Sequence, residues 1–285
     1  MIGGRRTGSP MDADYIEETR DTNLRRADGM GFVKTPEELD RYFGLAVRVF
    51  PGARMLGILY ETEPEVIARL LPPPLEPAAE PWALCYIADF PETNLGPGYQ
   101  EGAIFIRCQY AGEIGNYCLA MPLNDEARMH NGRDIYGFPK KLARVALHRD
   151  GNIAEGWIER HGIRFVTVRA ELSVTLDEPP LKVGPNFLFK YMPAADLSRG
   201  FDGPVLLVRQ RNEFEYHMFE MGAGEIVFEE SPHDPWREIV CKQVIAAYFF
   251  TSTNRLLPGN VLAEVEPETF LPHAFSRTDW EFADG

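Results

Sequence analysis

Two adjacent lysines, Lys140 and Lys141, stand in the segment Gly132-Arg133-Asp134-Ile135-Tyr136-Gly137-Phe138-Pro139-Lys140-Lys141-Leu142-Ala143. They follow a proline, precede a strand-like run and sit among the apolar Ile135, Tyr136, Phe138, Leu142 and Ala143. An amine so placed could attack a ketone carbon and form an imine. A free lysine near pKa 10.4 is neutral only about once in 2,500 at pH 7, and moving its titration to neutrality takes roughly 5 kcal/mol of selective destabilisation of the ammonium. A second ammonium about 5 Å away supplies on the order of 3 kcal/mol at an effective dielectric of 20. Desolvation by apolar neighbours must contribute the rest. A dilysine in an apolar pocket is therefore a sufficient device, where either element alone falls short. A solvated Lys-Lys pair at a strand entrance remains the plainer alternative at this point.

Other chemical motifs are absent or weak. The chain has no G-x-x-x-x-G-K-[ST], no G-x-S-x-G and no H-E-x-x-H. Gly222-Ala223-Gly224 lacks the third glycine of a dinucleotide fingerprint and reads as a hairpin turn. The histidines at 130, 148, 161, 217, 233 and 273 never fall at helical i, i+3 or i+4 spacing, so no metal site is expected. Ser231-Pro232-His233-Asp234 reads as a polar turn, because triad members meet by folding and not by sequence adjacency. Cys85, Cys108, Cys118 and Cys241 form no C-x-x-C pair, which points to reduced cysteines buried in strands of a cytoplasmic protein.

The elements that must position the lysines are mostly strands. Val166, Val168, Ala170 and Leu172 alternate with Thr167, Arg169 and Glu171, and Ile104, Ile106, Cys108 and Tyr110 alternate with Arg107 and Gln109. Similar runs are predicted at 55–60, 82–88, 117–121, 144–148, 153–158, 205–210, 224–228 and 239–250. Helices are predicted from Pro64 to Leu71, stopped by Pro72–Pro74, and from Glu126 to about Ile135. Strands outnumber helices without alternating with them, which argues against βαβ units and for an α+β fold. The expected architecture is a largely antiparallel, barrel-like sheet with a few peripheral helices. Residues 1–45 are polar and read as an arm with one or two short helices, ahead of a domain over 46–285.

The chain has 285 residues, 45% hydrophobic and 25% charged, with 29 Lys+Arg against 43 Asp+Glu and a formal net charge of -14. Such a balance argues against a nucleic-acid footprint or an anionic membrane surface. No apolar run reaches the 18 or so residues of a membrane helix. The N-terminus, Met1-Ile2-Gly3-Gly4-Arg5-Arg6, has no apolar stretch behind its arginines and does not read as a signal peptide.

The segment G-R-D-I-Y-G-F-P-K-K-L-A resembles the signature of the acetoacetate decarboxylase family, whose P-K-K tripeptide carries the Schiff-base lysine. That family is the standing example of a lysine activated by a cationic neighbour. The likeness extends over about residues 50–265. Tyr60-Glu61-Thr62 through Leu71-Pro72-Pro73-Pro74-Leu75-Glu76 resembles its first strand, helix and V-P-x-P-L-E-like exit. Leu95-Gly96-Pro97-Gly98-Tyr99-Gln100-Glu101 resembles its glycine turn ending in a glutamate. Leu123-Asn124-Asp125-Glu126 matches its L-D-N-E-like run, and Gly184-Pro185-Asn186-Phe187-Leu188-Phe189-Lys190 its P-N-Y/F-x-x-K segment.

The resemblance implies that Lys140 is the imine-forming nucleophile, Lys141 its activating neighbour and Glu101 the catalytic carboxylate. It implies a substrate-binding arginine on the first strand, which is Arg54 if one residue is deleted before Tyr60 and Ala53 otherwise. A second acidic residue expected on the next strand is absent from Leu84-Cys85-Tyr86. The implied function is decarboxylation of a β-keto acid, acetoacetate or a larger analogue, with the imine as electron sink and no metal or organic cofactor. Two alternatives are an aldolase-dehydratase that joins an oxo acid such as pyruvate to an aldehyde, and a non-catalytic protein that binds a keto compound. A homo-oligomer is expected, because the family assembles and the arm is too polar to fold on itself.

Overall fold

The computed structural model of the chain describes residues 31–180, 184–196 and 198–279. The chain divides into two compact units, Met1–Ala46 and Val47–Gly285. In the first, helix α1 (Pro36–Gly44) begins with a reciprocal capping box. The Thr35 hydroxyl accepts from the Glu38 N–H and the Glu38 carboxylate accepts from the Thr35 N–H, with proline in the first turn. The expected arm over 1–45 otherwise falls largely outside the described residues.

The second unit is built on one 14-stranded sheet. Its strands are β1 (Arg48–Glu61), β2 (Glu76–Pro77), β3 (Trp82–Thr93), β4 (Gly96–Tyr110), β5 (Glu113–Leu123), β6 (Lys140–Leu142), β7 (Arg144–Asp150), β8 (Ile153–Arg160), β9 (Ile163–Leu176), β10 (Asn186–Lys190), β11 (Val205–Gln210), β12 (Asn212–Phe228), β13 (Gln243–Leu256) and β14 (Asn260–Val265). The spatial order is β14-β11-β10-β5-β4-β3-β1-β13-β12-β9-β8-β7, with β2 on β4 and β6 on β5. All pairings are antiparallel except β10 with β5 and β5 with β6. The sheet curls so that β7 packs on β3, β4 and β5. Among the described residues no ladder joins β14 to β7, so the barrel is approached but not closed. Short helices α2 (Pro64–Leu70), α3 (Glu126–Asn131) and α4 (Pro267–Phe270) complete the unit.

The central strands are apolar on both faces because both faces are covered. On β1, Leu56, Ile58 and Tyr60 join one core with Cys85, Ile87, Ile104 and Ile158, while Met55 joins a second with Tyr86, Phe105 and Phe250. Each fully buried Leu or Ile contributes roughly 1.5–3 kcal/mol relative to exposure. The first face is thus a packed support, and the second is free to carry a cavity.

Three sequence expectations change here. Gly222-Ala223-Gly224 lies inside β12, not at a hairpin turn. A register shift falls between Met221 and Gly222, and a Cβ on Gly222 would collide with the Glu171 carbonyl oxygen, so a bulge and a close backbone approach explain the glycine. The run at 239–250 becomes a strand only at Gln243, after a 3-10 turn at Trp236–Glu238. The helix begun at Glu126 continues as a π-helical turn, Gly132–Tyr136, directly ahead of the lysines.

Candidate active site

The lysine segment is shaped by its glycines and proline. The Asp125 side chain caps α3 by accepting from the Arg128 N–H at 2.8 Å. The π-helical turn ends at Gly137, whose φ of 90° and position against the Phe189 carbonyl leave no room for a side chain. Pro139 then turns the chain into β6, which runs parallel to β5 with Lys140 opposite Met121. On the other side of β5, Leu123 pairs with Glu101 of β4. Lys140 and Glu101 therefore flank β5, separated by two inter-strand steps or roughly 9.5 Å of backbone. Two long side chains are needed to close that gap, and they do: Lys140 Nζ donates to Glu101 Oε2 at 2.6 Å. The lysine is 4% and the glutamate 5% exposed.

The other Glu101 oxygen accepts from the Tyr86 hydroxyl at 2.8 Å. Tyr99 and Phe138 each place a ring centroid 5.7 Å from Lys140 Nζ. Burial first, and the Glu101 charge second, push the Tyr86 and Tyr99 phenols well up, so both stay protonated and Tyr86 remains a donor to the carboxylate. Gly132 lies against the lysine stem: a Cβ there would sit 2.5 Å from Lys140 Cδ and no farther from Cε. These groups open into a cavity of about 180 Å³. Twelve phenylalanine and tyrosine rings line it, and its charged members are Arg48, Glu101, Arg128 and Lys140. Arg128 donates to the Leu95 and Pro97 carbonyls at 3.1 and 3.3 Å, while its buried Nε has no hydrogen-bond partner.

Of the residues singled out in the sequence, the structure brings together Lys140 and Glu101. Lys141, one residue further along a strand, points to the opposite face. Its ammonium donates to the His233 carbonyl at 2.8 Å, to Asp279 Oδ1 at 3.0 Å and to Asp234 Oδ1 at 3.2 Å. Arg160 joins both carboxylates, reaching Asp234 at 2.7 Å and Asp279 at 2.6 Å. Two buried cations and two carboxylates thus compensate one another, and the Lys141 charge is spent there. Arg54 is also turned away. It is exposed on β1 and ion-paired with Asp89, and Met55 takes the cavity face. Cys85 sits in the supporting core, so its neighbours on that strand, Leu84 and Tyr86, face the cavity. The sequence reading missed Tyr86, although strict alternation from Cys85 would have marked it.

His161, His233 and Asp279 meet beside Lys141 with their ligand atoms within 4.8 Å, a cluster that sequence spacing does not reveal. Asp279 is already engaged by Arg160, Lys141 and His161, so this group reads as an ion-pair lock.

The chain is similar to known proteins in both sequence and fold. A sequence model of the family described as acetoacetate decarboxylase (ADC) matches residues 30–265. An acetoacetate decarboxylase of Burkholderia vietnamiensis is 34% identical over 154 residues, 52% of this chain and 61% of that protein. The matched stretch thus spans about three fifths of the length of that relative. The crystal structure of acetoacetate decarboxylase from Legionella pneumophila superposes with a TM-score of 0.70 at 20% identity, covering 91% of this chain and 99% of that one. The enduracididine biosynthesis enzyme MppR, complexed with the condensation product of pyruvate and imidazole 4-carboxaldehyde, superposes with a TM-score of 0.66 at 20% identity, covering 76% and 89%. With the family match running from the first helix through the last strand of the sheet, the chain belongs to the acetoacetate decarboxylase family.

Proposed function

We propose that this chain is a Schiff-base enzyme that decarboxylates a β-keto acid on Lys140. The observation that carries the reading is the buried Lys140–Glu101 contact of 2.6 Å at the wall of an aromatic cavity. Glu101 is placed to take a proton from the lysine, freeing the Nζ lone pair to attack the ketone carbon. Loss of water gives a protonated imine. The bond to the carboxylate then breaks, carbon dioxide leaves, and the electron pair passes into the imine to form an enamine. Protonation of the enamine carbon, by Glu101 or through Tyr86, and hydrolysis by water return the ketone and the free lysine. Arg54 stands exposed and paired with Asp89, so this reading gives the substrate carboxylate instead to Arg128, a cation that lines the cavity.

A second reading keeps the imine and changes the outcome. Tyr86, not a second carboxylate, faces Glu101, which leaves one acidic proton-handling group fewer for decarboxylation. The imine formed from pyruvate would instead give up its α-proton to Glu101, and the resulting enamine carbon would add to an aldehyde whose oxygen, once protonated, leaves as water, in keeping with the MppR complex. Borohydride reduction with a bound keto acid should add mass to the peptide containing Lys140. Carbon dioxide release from a β-keto acid would support decarboxylation. A conjugated product from pyruvate plus an aldehyde, with no gas from any β-keto acid, would transfer the assignment to the second reading.

A further inference from the structure

Resting on the imine reading, we propose that the substrate carries an aromatic ring about two carbons from its ketone, an aryl-alkyl 3-oxo acid in place of acetoacetate. Three observations lead there. First, the cavity continues well beyond the reacting group. In the sheet order β4-β3-β1-β13-β12, Glu101 lies on β4, while Tyr248 and Phe250 lie on β13 and line the same cavity. That is three inter-strand steps, roughly 14 Å along the sheet. A four-carbon keto acid spans about 5 Å from standard bond lengths and would leave the far wall uncovered.

Second, that wall is built of rings. Phe219, Tyr248 and Phe250 are stacked on one another, with centroids 5.6, 5.9 and 6.1 Å apart and interplanar angles of 22°, 13° and 16°. Tyr216 meets Phe250 edge-on at 5.2 Å and 81°. Such a wall offers both faces and edges to a further ring, the two arrangements aromatic pairs prefer. The sequence accommodates the wall itself: the Tyr248 ring lies over Gly57, where any side chain would collide with it.

Third, the volume suits a ring. A cavity of about 150 Å³ lined by apolar side chains holds a benzene, and this one is about 180 Å³ and partly open to solvent. Its charged groups are few, so most of the bound surface must be apolar to be held there.

The test compares 3-oxo-5-phenylpentanoate with acetoacetate as substrates, and their product ketones, 4-phenylbutan-2-one and acetone, as imine-trapping ligands. The expected result is a kcat/KM ratio of at least about tenfold in favour of the phenyl acid, and a fall in that ratio of about fivefold or more in Phe250→Leu, which keeps apolar bulk and removes the ring. Equal or better turnover of acetoacetate, with label on Lys140 in borohydride, would overturn the ring proposal and leave the imine reading standing. If neither ketone is trapped and neither acid releases gas, the imine reading fails. The ring proposal is then judged on calorimetric binding of 4-phenylbutan-2-one against butan-2-one. Tighter binding of the phenyl ketone, weakened in Phe250→Leu, supports it; equal binding overturns it.

Discussion

Replacing Gly132 by alanine tests whether the placement of the Lys140 amine governs the chemistry. Gly132 has φ -66° and ψ -43°, a conformation any residue adopts, so the substitution brings no backbone strain. By helix propensity alone it should stabilise the turn by up to about 1 kcal/mol. The new methyl, however, would lie 2.5 Å from Lys140 Cδ. Carbon atoms rest at about 3.5–4.0 Å, so the lysine stem must retreat by at least ~1 Å. The amine is now held to Glu101 at 2.6 Å, and a retreat of that size takes it out of hydrogen-bond reach.

A misplacement of about 1 Å in a reacting group costs on the order of 10²-fold in rate. Gly132→Ala should therefore lower kcat for a β-keto acid, and the rate of borohydride trapping on Lys140, by about that factor. Its unfolding free energy from urea titration should stay within about 1 kcal/mol of the parent value, because the strain is confined to one flexible side chain. A variant that folds normally and traps a ketone at the parent rate would refute the argument that the glycine clears the path of the nucleophile.

Lys141→Met should leave the pH profile of imine formation in place while costing about 3–5 kcal/mol of stability by denaturant titration, since Asp234 and Asp279 lose a buried partner; a basic limb displaced by a pH unit would contradict this. Arg54→Ala should change turnover little but cost about 1–3 kcal/mol of stability, because the buried Asp89 carboxylate loses this partner. Glu101→Gln should slow trapping of Lys140 by about 10²-fold or more, because it removes the proton acceptor and keeps the volume; trapping at the parent rate would transfer that role elsewhere. Burial alone would raise the Asp279 carboxyl, but hydrogen bonds from Arg160, His161 and Lys141 outweigh it and hold the group well below its ordinary 3.8. The stability it contributes is complete above that value and lost as pH falls below it, so urea titrations from pH 5 to 2 should show a shallower acid loss in Asp279→Asn.

The strands were legible because their two-residue alternation is local, as at Val166–Leu172 within β9 and Ile104–Tyr110 within β4. The doubly buried centre was legible as apolar runs such as Trp82–Ala88 within β3, though not which residue of a run faces which core. What local pattern could not show was set by distant partners. The bulge at Gly222 answers the Glu171 carbonyl, and the open seam of the sheet depends on strands that are neighbours in no part of the sequence. The Lys140–Glu101 pair, 39 residues apart, followed from family likeness; the lock around Lys141 joins residues up to 138 apart and left no sequence signal.

The dilysine itself shows how a correct energy estimate can rest on a wrong geometry. A second ammonium at about 5 Å would supply some 3 kcal/mol of repulsion at an effective dielectric of 20. Yet consecutive side chains of a strand point to opposite faces, so two adjacent lysines in β6 cannot both enter one pocket. Lys141 serves the far side, where Asp234 and Asp279 neutralise it. What faces Lys140 is a carboxylate, with aromatic rings around both. In that setting the ammonium-carboxylate pair and the neutral amine-acid pair differ by one proton moved across 2.6 Å, with no charge taken from or returned to water. Excluding water destabilises the charged pair relative to the neutral one. In the proposed reaction a ketone seated in the cavity would shield the pair from water and so favour the neutral amine, a coupling that a neighbouring cation would not provide.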